Sequence, residues 1–384
     1  MKIFLNAIVD EIQMMFKVHL RVASVLFLLP VIYTLIFGGL FYKNTLTDVP
    51  IVICNLDDGF QSQQIIKDLS DTPEIKVIDV GTSVTDFDNL IVRGESAGAV
   101  VIPKDYSKNL NNGGSTSIEL IVDNKNAVLS GTASRAVQLV INNHNAINLV
   151  NRRIAEGWHQ TQAQSSLNLS SRIFYNPTGG YIDFFLAPLI VHSLQIAIVF
   201  VLAPSFVLEK KYRKIELSKN PLIVLIAKSF VYVIYEAAIM AICLAIGIGG
   251  FNMVCHGDFS KILLLISAFI FCMNSFALLV GSWLNVSQKA ITMTLFYIMP
   301  SILFSGAIWP RYSMDNFSLF LSYIMPIGYT ADDLRSLLVK GEAINLTFHV
   351  EILMLIGILF FTLTIVGVKK YVRDNAARIK TTVA

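Results

Sequence analysis

Six apolar runs, at 22–41, 184–208, 222–247, 262–284, 290–308 and 350–368, constrain this chain more than any other feature. A helix rises about 1.5 Å per residue, so a run of about 20 residues crosses a hydrocarbon core of roughly 30 Å. The first run, VASVLFLLPVIYTLIFGGLF, carries no charge. Lys17 and Arg21 give it the basic flank of a signal peptide. It is nevertheless longer than a signal peptide's apolar region, begins far from Met1 and lacks a small-x-small cleavage site, so it reads as a retained span. Composition agrees, with 54% hydrophobic and 15% charged residues among 384, where soluble domains carry roughly 25% charged. A net charge of +3 without basic clustering disfavours a nucleic-acid binder. Cys54, Cys243, Cys255 and Cys272 show neither metal-ligand spacing nor a disulfide framework.

The expected fold is a polytopic α-helical membrane protein with six transmembrane helices and an α/β domain inserted between the first two. Its divisions are 1–20, 21–42, 43–180, 181–208, 209–221, 222–247, 259–284, 289–308, 309–348, 349–368 and 369–384. Lys2, Lys17, Arg21, Lys210, Lys211, Arg213, Lys214, Lys219, Lys289, Lys369, Lys370, Arg373, Arg378 and Lys380 fall on one side, against Arg311, Arg335 and Lys340 in the short loops of the other. The positive-inside rule then places both termini in the cytoplasm and 43–180 outside it. In the first division, Ile3, Ile8, Ile12, Met15 and Phe16 recur at helical spacing opposite Lys2, Asp10, Glu11 and Lys17. This reads either as an amphipathic helix in the cytoplasmic interface or as a cytosolic extension of the first span.

Within 43–180 the pattern alternates. Strands are expected at 50–54, 75–80, 97–102 and 118–122, and helices around Phe60 to Leu69 and over 84–93. A long amphipathic helix is expected over about 127–164. Alternating strands and helices predict a small α/β layer domain.

The chain lacks G-x-x-x-x-G-K-[ST], H-E-x-x-H, G-x-S-x-G and a convincing G-x-G-x-x-G turn, so it carries no recognisable nucleotide, zinc or hydrolase centre. Polar groups inside the spans are more informative, because a charge at the bilayer centre costs about 3 kcal/mol on insertion scales. Glu236 lies deep in the third span and can share a face with Lys228, two turns earlier, while His192 lies midway through the second. They are the candidates for a translocation path or gate. Glu236 also admits a purely structural reading, as a hydrogen-bonded glutamate, and His192 one as a packing residue.

Several local pieces carry a family resemblance: Leu29-Pro30 with Phe37-Gly38-Gly39; Gly94 to Pro103 followed by Asp105-Tyr106-Ser107; Tyr175-Asn176-Pro177; and Ser305-Gly306-Ala307-Ile308-Trp309-Pro310 continuing through Tyr323-Ile324-Met325-Pro326 to Leu334-Arg335 and Lys340-Gly341. In this order they resemble the permease subunit of an ATP-binding-cassette (ABC) type-2 exporter, of the subgroup with a large extracytoplasmic domain between its first two spans. The resemblance implies short helices dipping at the outer face over 309–348. It also places Glu209, Lys210, Lys211, Tyr212, Arg213 and Lys214 at the family's ATPase-coupling position, although the family's Gly-Thr pair is missing there.

What the resemblance implies is a non-enzymatic transport component of a bacterial cytoplasmic membrane, with no cofactor in this chain and ATP and Mg on partner ATPase subunits. A second permease, identical or related, membrane lipids and a periplasmic adaptor are the other implied partners, and the cargo is hydrophobic or amphipathic. The rival reading is a membrane-anchored binding or assembly protein that transports nothing.

Overall fold

A computed structural model describes residues 2–18, 20–82, 90, 95–112, 114–123, 127–155, 180–213 and 220–383. The expected helix over 84–93 lies almost wholly outside the described residues, as do Gly94, Tyr175-Asn176-Pro177, Lys214 and the end of the long helix beyond 155. The chain divides into two compact units, Met1–Asn44 with Phe174–Ala384, and Thr45–Ile173.

The chain opens with α1 (Lys2–Gln13) and a π-helical turn, Met14–Val18, ahead of α2 (Leu20–Leu40). Pro30 within α2 cannot donate to the preceding turn, and the Thr34 hydroxyl bonds the Pro30 carbonyl at 2.8 Å.

The second unit is built on a four-stranded sheet in the order β2-β1-β3-β4. Its elements are β1 (Val49–Asn55), α3 (Phe60–Ser70), β2 (Ile75–Gly81), β3 (Gly98–Ile102), α4 (Tyr106–Asn111), β4 (Glu119–Val122) and α5 (Ala127–Ala155). Strand β1 runs parallel to both β2 and β3, and β4 closes the sheet antiparallel to β3. Flanked on both sides, Pro50 to Cys54 reads as one apolar run instead of alternating. Ala133, Ala136 and Val137 of α5 bury against Ile65 and Leu69 of α3 and the inner residues of β1 and β3. His144 of α5 meets Asp68 of α3 at 2.6 Å.

Between β1 and β3 the strand order switches direction, the place where open α/β sheets commonly hold ligands. Here a carboxylate of the chain fills it. Asp57 accepts from the Ser107 hydroxyl at 2.6 Å and from the Gly59 N–H at 3.1 Å, joining the starts of α3 and α4. Burial pushes this carboxyl up, but the hydrogen bonds from Ser107, Ser62 and Gly59 outweigh it and hold Asp57 below the usual aspartate value.

The first unit resumes with a π-helical turn, Ile182–Leu186, and continues as α6 (Ala187–Tyr212), α7 (Pro221–Phe251), α8 (Phe259–Trp283), α9 (Ser287–Ser301), α10 (Asn316–Ile324), α11 (Ala331–Lys340) and α12 (Leu346–Val383). Helix α6 is buried along most of its length, at the centre of this unit. Gly281 lets α8 approach the α6 backbone, since an added Cβ would sit 2.7 Å from the Ala203 carbonyl. Gly357 of α12 fits likewise against Phe271 and Cys272.

Among the described residues, five helices are long and apolar enough to cross a membrane: Leu20–Leu40, Ile182–Tyr212, Pro221–Phe251, Phe259–Trp283 and Leu346–Asp374. The run at 290–308 instead forms α9, only 15 residues long, a 3-10 turn (Leu303–Ser305) and a left-handed Gly306. Pro300 near the end of α9 and Gly306 explain the early stop. Helices also run on past three of the expected divisions. Helix α6 runs through the start of the 209–221 division to Tyr212, α7 extends past 247 to Phe251, and α12 continues without a break through 369.

Candidate functional site

Where the basic end of α6 meets the start of α7, two acids and two bases close into a ring inside the first unit. Lys228 of α7 contacts Glu11 of α1 and Glu209 of α6, each at 2.6 Å. Arg213, which caps α6, reaches the other oxygen of Glu11 and lies 2.9 Å from Glu209. All four side chains are at most 5% exposed. Two charges of each sign cancel formally, and each carboxylate uses both oxygens, which is the condition under which a buried ionic group is tolerated. Lys228 also lies 4.7 Å from the ring centre of Tyr232, one turn further along α7.

Lys210 leaves this ring and points to a third helix. Its buried ammonium donates to the carbonyls of Gly281 and Ser282, each at 3.0 Å, and to that of Leu284. These oxygens are the unpaired acceptors at the end of α8, so the lysine caps that helix and complements the negative end of its dipole.

The charged run expected at the coupling position therefore divides. Glu209, Lys210 and Arg213 are interior, whereas Lys211 and Tyr212 are exposed, Tyr212 to 83%. Of the six residues expected at that position, Lys211 and Tyr212 are the ones that present a surface among the described residues. The cause is helical geometry: α6 continues through Tyr212, so Glu209, Lys210 and Arg213 fall on its inner face while Lys211 and Tyr212 turn away from it.

Lys228 and Glu236 share the inner face of α7, as their spacing implies, but not a partner. Glu236 is fully buried, and Asn274 of α8 donates to it at 2.8 Å. His192 and Gln195 lie on α6, where Gln195 donates to Ser301 of α9 at 3.1 Å. Among the described residues His192 Nδ1, Gln195 Oε1, Glu236 Oε1, Asn274 Oδ1 and the Tyr297 hydroxyl are buried without a hydrogen bond. Polar groups thus project from α6, α7, α8 and α9 into an otherwise apolar bundle.

Sequence reasoning missed Glu11, assigning it to the outer face of α1. Its signal was present, because Glu11 is three residues from Ile8 and four from Met15, and Met15 is fully buried. Asn274 is the other such residue, its signal a lone amide inside the apolar run 262–284.

Residues 22–366 match the family described as ABC-2 family transporter protein. Over 326 residues the chain is 22% identical to a probable multidrug ABC transporter permease, YbhR, of Escherichia coli K12, covering 84% of this chain and 86% of that protein. It is 24% identical over 204 residues to ABC transporter G family member 20 of Dictyostelium discoideum, covering 48% of this chain. The match spans only about a quarter, 26%, of that longer relative. Helices able to span a membrane several times, enclosing a buried polar interior, define a multi-pass transport component. The chain belongs to the ABC-2 transporter family, as a permease component of an ABC exporter.

Proposed function

We infer that this permease moves a hydrophobic or amphipathic cargo out of the cytoplasm or inner leaflet, driven by ATP and Mg bound on separate cytoplasmic ATPase subunits. The observation carrying this reading is the buried ring of Glu11, Glu209, Arg213 and Lys228 beside the exposed pair Lys211 and Tyr212. A chain that lacks a phosphate loop must receive work mechanically, and a rigid ionic joint between three helices transmits a push without absorbing it. Force applied at Lys211 and Tyr212 reaches α7 through Lys228 and α1 through Glu11.

In this reading both termini are cytoplasmic, the membrane is a bacterial inner membrane, α9 with the turn after it serves as the fifth of six spans, and 43–180 is extracytoplasmic. The permease works as a dimer with an identical or related chain, contacts lipid along its outer helices, and offers the extracytoplasmic unit to a periplasmic adaptor. His192, Lys228 and Glu236 belong to the path or its gate.

Co-purification of the ATPase subunits, followed by ATP-dependent transport in reconstituted vesicles, tests this reading. Lys211→Glu is expected to reduce ATPase recovery at least about tenfold while leaving the permease folded, the size of effect that follows from losing about 1.4 kcal/mol of contact. Lys210 is the wrong probe, because reversing its charge uncaps α8. Full ATPase recovery and transport with Lys211→Glu and Tyr212→Ala combined would remove the coupling assignment.

A further inference from the structure

The far end of α6 holds a second constellation that neither the spans nor the ionic ring explains. Asp183 lies 26 residues before Glu209 on one nearly continuous helix, about 40 Å away at 1.5 Å per residue. Around it is a cavity of about 680 Å³ lined by the π-helical turn, the segment around Gly306 and helix α11. Its charged lining is Arg311, Arg335 and Lys340 against Asp183 and Asp332, an excess of one positive charge. Phe184, Ile308, Tyr312 and Val339 give it apolar walls.

Both guanidinium groups are fixed from behind. Arg311 donates to the Ser322 hydroxyl at 2.9 Å and the Gly328 carbonyl at 2.6 Å, and its guanidinium carbon lies 5.6 and 5.5 Å from the ring centres of Tyr323 and Tyr329. Arg335 donates to the Ala307 carbonyl at 2.9 Å and to Asp332, and sits 4.5 Å over the Phe184 ring. The carboxylates are already engaged, Asp332 by Arg335 and Asp183 by the Val254 N–H at 3.0 Å. Nη1 of Arg311 has no acceptor among the described residues. A guanidinium held in place loses little freedom on binding, and its planar fork suits the oxygens of a carboxylate or phosphate. The cavity is within the size range of small-molecule sites.

We propose that this cavity binds the anionic headgroup of an amphiphile, a carboxylate or phosphate carried on an apolar tail, with Arg311 and Arg335 on the oxygens and Phe184, Ile308 and Val339 against the tail. The inference borrows from the preceding reading only the side of the membrane onto which the cavity opens. Binding to the permease alone needs no ATPase. Failure of the wild-type permease to recover any ATPase, with headgroup selectivity intact, would fault that reading alone, and ATPase recovery without headgroup selectivity would fault this one alone.

The test is equilibrium binding to the full chain in phosphatidylcholine nanodiscs, using a fluorescent long-chain fatty acid and its methyl ester. The acid is expected to bind at least about tenfold tighter than the ester, with a preference that shrinks as salt rises. Ser336→Glu puts a carboxylate in the lining without removing an arginine contact, and should abolish the preference while leaving ester binding unchanged. Competition separates the sources of the headgroup. Displacement by short-chain phosphatidylglycerol identifies a lipid-like site, displacement by the unlabelled fatty acid alone a single-tailed ligand, and either sustains the proposal. Equal affinity for acid and ester in the wild type would overturn it without any variant. So would unchanged selectivity in a folded Ser336→Glu protein, or displacement by inorganic phosphate alone.

Discussion

Among single residues, Glu11 bears the most consequence for its size. It bonds one cation from α7 and one from the end of α6, so its loss leaves a single carboxylate, Glu209, facing both cations within the ring. Removing one partner of a buried ion pair costs about 3–5 kcal/mol, whereas neutralising both members of a pair costs far less. Glu11→Gln should therefore lower thermal stability in detergent strongly, and Glu11→Gln with Lys228→Met should recover much of the loss. Additive losses in that double-mutant cycle would show that the two residues act independently. Asp57 makes a prediction of opposite character, in pH. Its folded pKa is depressed, so the stability it contributes is present above the unfolded value, near 3.8, and is lost as pH falls through the folded one. At neutral pH, Asp57→Asn should weaken protection of the second unit against hydrogen exchange by about 2 kcal/mol, the worth of a few charge-assisted bonds. The gap to wild type should close in acid, and a gap that persists at the lowest accessible pH would mean the charge is not what Asp57 supplies.

For whole elements, legibility followed how local the cause was. Strand β1 is readable because being covered on both faces leaves an unbroken apolar run, and α3 and α5 because their apolar residues return every three or four positions. The failures share a cause, since periodicity does not show which neighbour an element will meet. The end of α6 reads as a charged coupling loop or helix with no inward partners, whereas it is helix to Tyr212 and Arg213, Glu209 and Lys210 find partners on α1, α7 and α8. Helix α1 with the π-helical turn after it reads from the sequence as having a single apolar face, yet it has two. Ile8, Glu11 and Met15 turn toward the bundle, while Leu5, Val9, Ile12 and Phe16 are exposed. If the exposed stripe lies in lipid, a tryptophan replacing Val9 should be quenched by brominated acyl chains, and one replacing Ile8 should be protected. Equal quenching at both positions would mean that α1 does not dock as described.

At the scale of the whole molecule, α9 poses the remaining structural question. Its 15 residues rise only about 22 Å, short of a hydrocarbon core of roughly 30 Å. The backbone beyond Ser301 leaves the α-helix for a 3-10 turn and Gly306. Irregular backbone at membrane depth is tolerated when protein or a water-filled cavity covers it, not when lipid does. Helix α6 packs along α9, and the turn Leu303–Ser305 packs on α10 and on Pro326–Tyr329, but Met293, Phe296 and Met299 of α9 and Leu303 of the turn remain exposed, Phe296 to 77%. The exposed residues of α2 and α12 belong to regular helices long enough to span, which lipid can face at no backbone cost. The surface most in need of a protein neighbour is therefore that of α9, and in a dimer of this permease α9 should face its counterpart. With the exposed Cys255 replaced by serine, a cysteine at Phe296 or Met299 should give a disulfide-linked dimer in native membranes, and a cysteine at Leu355 of α12 should not. Efficient linkage through Leu355 with none through α9 would place the second copy on the opposite flank, and the turn after Ser301 would then need a water-filled cavity to satisfy its backbone.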